Sequence, residues 1–349
     1  MATDDNPQPW SEAELGRLLG NAGVLDASDP ASDPAIEPAG DGNINWVRRI
    51  RSRESGHTVI VKHARPALEK FPEYETSTER IVFENRYYEI ARPLDTDGIC
   101  PNILRFDEAR RLLVLEDLGD AERLDAAFLR GADVERELVF IARFLGRVHS
   151  ATWEDDTLAA RFANQDIQRL HGDHIFKLPY EGDGFPVPSG VESRAAAVRS
   201  DRSLAKTAAH AYERYLSPHG ALVHADVQPG NILLHSRSAT LLDAEIAHVG
   251  DPAFDVGTLL AHTWISGPVD HARRSTAAIW EAYTEVLGDD RIVAFEDAAR
   301  YAGLEIMRRT IGAARVAAVA SAASSLAAIE LADRLIREPP TRLSEAFTT

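Results

Sequence analysis

The sequence predicts an α+β protein of two lobes, a small antiparallel-sheet lobe followed by a larger, mainly helical one. Three observations carry the expectation. The chain has 349 residues, more than one average domain. Its first third holds an alternating strand pattern at 46–50 and short apolar, β-branched runs at 58–62 and 112–115, whereas the long helical pattern 133–150 opens the remainder. Two further apolar runs, 221–223 and 232–234, flank a turn-rich loop that bears one acid and one amide.

Acidic residues outnumber basic ones, 55 to 38, giving a formal charge of −17. That balance excludes binding of nucleic acid or anionic membrane through a broad basic surface. The single cysteine, Cys100, rules out an intramolecular disulfide framework and fits a reducing compartment. The start, Met1-Ala2-Thr3-Asp4-Asp5-Asn6, lacks a basic, apolar leader, so a cytoplasmic location is expected. The most apolar stretch, 316–331, is alanine- and serine-rich and flanked by Arg315 and Asp333; a buried helix is expected there, not a membrane span.

Residues 1–38 read as an N-terminal extension, a helix over 11–20 capped by Ser11 with Glu14 three residues on, then a loop over 26–38. The small lobe is assigned to 39–117. It opens with Gly40-Asp41-Gly42-Asn43-Ile44-Asn45, a turn whose backbone amides can approach phosphate. The run 58–62 ends on Lys62. In the helix expected over 78–91, Glu84 lies three residues after Ile81 and four before Tyr88, so its carboxylate shares an apolar, inward face. An inward acid wants a cation; Lys62 is the candidate, with Glu79 and Glu89 as the rival partners.

The run 112–115 leads into Glu116-Asp117-Leu118-Gly119, and the large lobe, 118–349, begins there. The helix over 133–150 places Leu138, Ile141, Leu145 and Val148 on one core-facing stripe. His171-Gly172-Asp173 has no flanking strands and meets Leu178 five residues after its acid, so it is set aside; 151–215 is expected to supply acceptor-side helices and loops.

The loop after 221–223 reads His224-Ala225-Asp226-Val227-Gln228-Pro229-Gly230-Asn231. Pro229-Gly230 forces a turn that lets Asp226 and Asn231 converge. Leu241-Leu242-Asp243 reads as a returning hairpin strand that delivers a second carboxylate to the same point. Two carboxylates and an amide oxygen suit a hard cation such as magnesium. If the chain stays extended, Glu245 falls on the same side as Asp243. Asp251-Pro252-Ala253-Phe254-Asp255 follows, and Arg308 and Arg309 stand together on a later helical segment.

The spacing of Asp226, Asn231 and Asp243 resembles the catalytic core of kinase-like phosphotransferases. With His224, Gln228-Pro229-Gly230 and the Asp251-to-Asp255 segment, it is similar to the motifs of the aminoglycoside phosphotransferase and choline kinase superfamily. Ala225 stands where that motif has glycine, so a positive φ there would be strained. Residues 40–45, Asp243-Ala244-Glu245 and Arg308-Arg309-Thr310-Ile311-Gly312 add a resemblance to the methylthioribose kinase branch over most of the chain. Where that branch commonly has threonine-glycine-serine, this chain keeps Pro229-Gly230-Asn231.

The resemblance implies a bilobal protein-kinase-like fold with a nucleotide, ATP or GTP, between the lobes. It implies that Asp226 takes the proton of an acceptor hydroxyl and that Asn231 and Asp243 hold Mg2+. Lys62, paired with Glu84, and the turn residues Gly42, Asn43 and Asn45 would serve the nucleotide, and Glu116, Asp117 and Leu118 would form the hinge at its purine edge. Glu245, Arg308 and Arg309 would face the acceptor, with His224 and Asp255 bracing the loop. The implied partners are a nucleotide and a small-molecule hydroxyl acceptor, with no nucleic acid and no membrane; a homodimer stays open. Only twelve positions separate Asp243 from Asp255 and no Ala-Pro-Glu follows, so no protein-kinase activation loop is expected. A sugar or ribose-containing acceptor comes first, a nucleoside or aminoglycoside antibiotic in self-resistance second, and a nucleotide-binding pseudokinase scaffold third.

Overall fold

The computed structural model describes residues 12–21, 35–39, 45–53, 55–66, 76–182, 185–236, 238–267, 269–288 and 292–347. They fall into two compact units, one built from the residues through Tyr88 together with Pro101–Asp120, the other from Glu89–Cys100 and the chain from Ala121 onward.

The first unit holds α1 (Glu12–Asn21), β1 (Ala35–Pro38), β2 (Trp46–Arg51), β3 (Thr58–His63), most of α2 (Arg80–Ala91), β4 (Ile103–Asp107) and β5 (Leu112–Glu116). Its strands make one antiparallel sheet in the order β1-β2-β3-β5-β4. Side chains alternate across a strand, and here both faces are covered. Trp46, Ile50, Val59, Val61, Leu112 and Val114 pack with Leu15 and Leu19 of α1. Leu113, Leu115 and the half-buried Ile60 meet Ile81 and Val82 of α2 on the other face. Burial on both sides is why β3 and β5 read as nearly unbroken apolar runs, whereas β2, with Arg48, Arg49 and Arg51, is buried only at Trp46 and Ile50.

Two expectations shift here. The loop expected over 26–38 ends as an edge strand, Ala35–Pro38, because Ile36 pairs opposite Ile50 and packs against the α1 cluster. Pro38 closes that strand, an edge position where its missing N–H costs little. The helix expected from residue 78 begins at Arg80. Ser11, the expected cap of α1, lies outside the described residues.

The second unit holds β6 (Glu122–Arg123), α3 (Leu124–Leu129), α4 (Glu135–Thr152), α5 (Asp156–Arg161), α6 (Gln165–Phe176), α7 (Glu192–Ser200), α8 (Arg202–Leu216), β7 (Ala221–Val223), β8 (Ile232–Leu234), β9 (Ala239–Leu241), β10 (His248–Gly250), α9 (Ala253–Ile265), α10 (Val269–Leu287), α11 (Phe295–Ile311) and α12 (Ala322–Arg337). An antiparallel sheet first and helices afterwards is the α+β class that the sequence predicts. The α9 helix is buried from Ala253 to Trp264 and packs against α11, α10 and α4. The α4 stripe of Leu138, Ile141, Leu145 and Val148 is buried as its spacing demands.

Two small sheets, β10-β7 and β6-β8-β9, carry the loops of interest. β7 pairs with β10 and β8 with β9, so residues 224–231 do not close a hairpin but carry the chain from one sheet to the other. The stretch 316–331 is not one buried helix either. Ala317–Val319 is a short 3-10 turn, and α12 starts at Ala322, where Ser321 accepts the Ser324 amide at 3.1 Å as its cap. Among the described residues no helix is long and apolar enough to cross a membrane.

Candidate active site

At the end of β7 the backbone turns at once. Ala225 has φ +66°, a left-handed conformation that glycine adopts freely and alanine only at a cost of roughly 1–2 kcal/mol. Asp255, fully buried in the first turn of α9, offsets that cost by accepting the amides of His224 and Ala225, one on each oxygen, at 2.8 Å. His149 Nε2 lies 3.2 Å from Asp255, and its Nδ1 lies 2.9 Å from the Tyr283 hydroxyl. A carboxylate only accepts, so Nε2 carries a proton there. Burial opposes the charge on Asp255, yet the His149 hydrogen bond, the fields of His149 and His224 and the His224 amide outweigh it and hold the carboxyl below its usual range. His224 is itself buried, and its Nδ1 accepts the Asp226 amide at 3.3 Å.

The turn Pro229–Asn231 then folds Asn231 back onto Asp226. Asn231 Nδ2 donates to Asp226 Oδ2 at 2.6 Å and to the Asp226 carbonyl at 3.0 Å. Gln228 Nε2 donates to the same Oδ2 at 3.3 Å. Burial raises the Asp226 carboxyl above the ordinary range; Arg309 and Arg308 pull it back, and Asp243 and Glu305 add to the rise.

The Leu242 amide donates to the Asn231 carbonyl at 2.8 Å, one step beyond the Ile232 to Leu241 pair of the β8–β9 ladder. Asp243 therefore follows directly beside Asn231. It has φ +73°, a conformation that aspartate tolerates, and Ala244–Ile246 wind into a 3-10 turn. The chain does not stay extended, so strand alternation does not put Glu245 on the side of Asp243. Glu245 is buried, 3 % exposed, and its carbonyl accepts from Asn164 Nδ2 at 2.8 Å.

With Nδ2 given to Asp226, Asn231 offers Oδ1, and Asp243 offers a carboxylate. Among the described residues no group of three His, Cys, Asp or Glu side chains converges to hold a metal. Two hard oxygens supplied by protein, with water and phosphate completing the shell, is the habit of magnesium, and the residues fit it.

Arg308 and Arg309 close α11 and are buried, 7 % and 4 % exposed. Both fold onto Glu305, with Arg309 Nε at 2.5 Å, Arg308 Nη1 at 3.1 Å and His262 Nε2 at 3.4 Å. Burial would raise the Glu305 carboxyl, but the two guanidiniums hold it well below the usual range. Arg308 Nη1 also donates to His171 Nε2 at 3.0 Å, and Arg309 Nη2 to Gln228 Oε1 at 3.1 Å. Each Arg309 nitrogen thus meets a protein acceptor, whereas the buried Arg308 Nε has no hydrogen-bond partner among the described residues. Sequence reasoning passed over Glu305, although an acid three and four residues before two arginines is the signal for such a pair. It passed over His149 as well, which extends the α4 stripe one turn beyond Leu145.

In the first unit, Lys62 Nζ lies 2.7 Å from Glu84 Oε2, both buried. Glu79 pairs with Arg111 instead, and Glu89 is exposed. The Glu116 amide continues the sheet by donating to the Asn102 carbonyl at 3.0 Å, and Leu118 is half-buried. Asp117 accepts from Arg49 Nη2 at 2.8 Å, with Nε 2.7 Å from its other oxygen, and accepts the Gly119 amide at 3.0 Å, so its carboxylate braces the segment 116–119. Asn45 is a brace too. Its Oδ1 accepts from the fully buried Arg80 at 2.9 Å, which leaves the turn's backbone amides out of that bond. Gly42 and Asn43 lie outside the described residues.

The model of the phosphotransferase enzyme family (APH) matches residues 35–289. The chain belongs to that family. This phosphotransferase is 28 % identical over 339 residues to the methylthioribose kinase of Yersinia enterocolitica, covering 83 % of each chain. It is 27 % identical over 312 residues to that of Bacillus mycoides, covering 80 % of this chain and 79 % of the relative. Among solved structures, choline kinase from Cryptosporidium parvum matches with a TM-score of 0.57 at 14 % identity, over 96 % of this chain and 99 % of its own, a likeness of fold. The phosphotransferase is accordingly a kinase that transfers phosphate to a hydroxyl.

Proposed function

We propose that the enzyme moves the γ-phosphate of ATP or GTP to a hydroxyl of a sugar or ribose-containing small molecule, with methylthioribose as the first acceptor to test. The observation that carries this reading is the Asp226 carboxylate, pinned by Asn231 at 2.6 Å beside Asp243, in a chain 28 % identical to a methylthioribose kinase over 83 % of both lengths.

Asp226 orients the acceptor hydroxyl and takes its proton as the oxygen attacks phosphorus. Its raised carboxyl makes it a better base than an exposed aspartate. Lys62, kept charged and aimed by Glu84, neutralises nucleotide phosphate. The backbone of Glu116, Asp117 and Leu118 meets the purine edge, and His224 and Asp255 hold the loop in shape. Asn231 Oδ1 and Asp243 would hold magnesium, which when bound neutralises the charge of the transferring phosphoryl group. Positioning and electrostatics supply most of the rate in such a transfer.

A second reading, an antibiotic phosphotransferase, rests on Pro229-Gly230-Asn231, the version of the loop found in the broader superfamily. The test is a mass-detected screen with ATP and with GTP, in magnesium buffer, against methylthioribose, ribosides and sugar antibiotics. Phosphorylated methylthioribose or a phosphorylated riboside is expected. Phosphorylation of antibiotics alone would replace the first reading by the second, and no phosphorylated product from any acceptor would contradict both.

A further inference from the structure

The Asp226 carboxylate is tied to the interior of the second unit through Gln228, Arg309 and Glu305. Each of the three Arg309 nitrogens meets a protein acceptor. Nε meets Glu305 Oε1 at 2.5 Å, Nη1 the Ala314 carbonyl at 3.2 Å, and Nη2 the Gln228 Oε1 at 3.1 Å. A guanidinium only donates, so the Gln228 oxygen must face Arg309 and its Nε2 must face Asp226, where it lies 3.3 Å from Oδ2. Asn231 donates to the same oxygen at 2.6 Å. Among the described residues no donor reaches Asp226 Oδ1.

We propose that Glu305, Arg309 and Gln228 form a buried relay of positioning residues that fixes the Asp226 carboxylate by Oδ2 and leaves Oδ1 as the oxygen that takes the acceptor proton. The proposal rests on the reading of Asp226 as the proton acceptor. Each member has a distinct task. Glu305, 1 % exposed, neutralises Arg309 and anchors it on α11. Anchored there, Arg309 is kept one residue away from Asp226. Gln228 is the spacer, neutral and able to accept from Arg309 at one end while donating to Asp226 at the other, so it passes on orientation. Two N–H donors on one oxygen also stop the carboxylate from exchanging its oxygens by rotation about χ2.

Steady-state kinetics of Gln228→Met test the relay, because methionine keeps the length of the side chain and removes both hydrogen bonds at a half-buried position. The acceptor is whichever compound the screen shows to be phosphorylated fastest. The kcat is expected to fall roughly tenfold to a hundredfold, the scale of a small misplacement of a reacting group, with the acceptor KM changed less than about threefold. Placed on top of Asp226→Ala, the same substitution is expected to cost nothing further, because the carboxylate it positions is gone. An unchanged kcat in Gln228→Met overturns the relay, and so does an equal fold-loss in both backgrounds, which marks a merely structural role. If Asp226→Ala alone turns over like the unsubstituted enzyme, the reading of Asp226 as base fails, a result that the single substitution separates from failure of the relay.

Discussion

His171-Gly172-Asp173 and His224-Ala225-Asp226 share their outer letters, and the fold uses them in opposite ways. The first lies inside α6, where Gly172 serves packing: a Cβ there would come within 2.3 Å of the Tyr212 ring. Asp173 points outward to Lys177 at 2.7 Å and to the Tyr212 hydroxyl at 2.8 Å, with its side chain 40 % exposed. The second triplet leaves a strand, and its alanine, not a glycine, carries φ +66°. The glycine therefore sits where the backbone is ordinary, and the alanine where it is not. What separates them is Asp255, a distant acid that accepts two successive amides of one triplet and touches nothing in the other.

Removing that acid should break the comparison most severely. Asp255→Ala leaves two buried amides without an acceptor, at roughly 1–3 kcal/mol each, so urea unfolding should show a loss of about 3 kcal/mol or more. Asp173→Ala removes an exposed pair and the hydrogen bond from the Tyr212 hydroxyl, leaves no buried amide without an acceptor, and should cost about 1 kcal/mol. Equal losses would mean that the loop is held by something else. Next in size is Gly172→Ala, expected to destabilise by about 1–3 kcal/mol through overpacking against Tyr212 in spite of alanine's better helix propensity; a stabilised protein would contradict the packing role. Ala225→Gly should act with the opposite sign. Release of about 1–2 kcal/mol of left-handed strain exceeds the roughly 0.5–1 kcal/mol entropic cost of glycine, leaving a gain of up to about 1 kcal/mol. A lower urea midpoint for this variant would show that the turn is not strained.

The smallest effect lies in His171 itself. Burial and then Arg308 hold its pKa well below the ordinary histidine value, and burial lowers those of His248 and His262. The unfolded chain gains protons at these rings near pH 6.5, while the folded chain does so only at lower pH. Stability is therefore lost as pH falls below about 6.5, and the Tm should drop between pH 7 and pH 5.5. A Tm that rises over that interval would contradict neutral, buried rings.

Sequence reading reached a good part of this arrangement, for identifiable reasons. Pro229-Gly230 demanded a turn, and a turn of that length brings Asn231 onto Asp226. The phase of α2 singled out Glu84 over Glu79 and Glu89 as the partner of Lys62. Strand pairing was out of reach, because segments as short as Ala221–Val223 and Ile232–Leu234 carry too little pattern to say which strand lies beside them. The direction of Glu245 was hidden by the left-handed turn at Asp243, since aspartate gives little warning of that conformation. For Arg308 and Arg309 it was the burial that the sequence did not announce. Adjacent charges suggest groups open to solvent or substrate, and only a buried Glu305, one turn back on the same helix, makes their burial affordable.

The claim at the centre of this account is that the acid of the strained triplet does the chemistry and the acid of the helical triplet does not. Turnover of Asp226→Ala and Asp173→Ala, measured side by side with the best acceptor from the screen, tests it most directly. The account predicts a loss of roughly two to four orders of magnitude in kcat for Asp226→Ala and a change of less than about twofold for Asp173→Ala. Undiminished turnover in Asp226→Ala would contradict it.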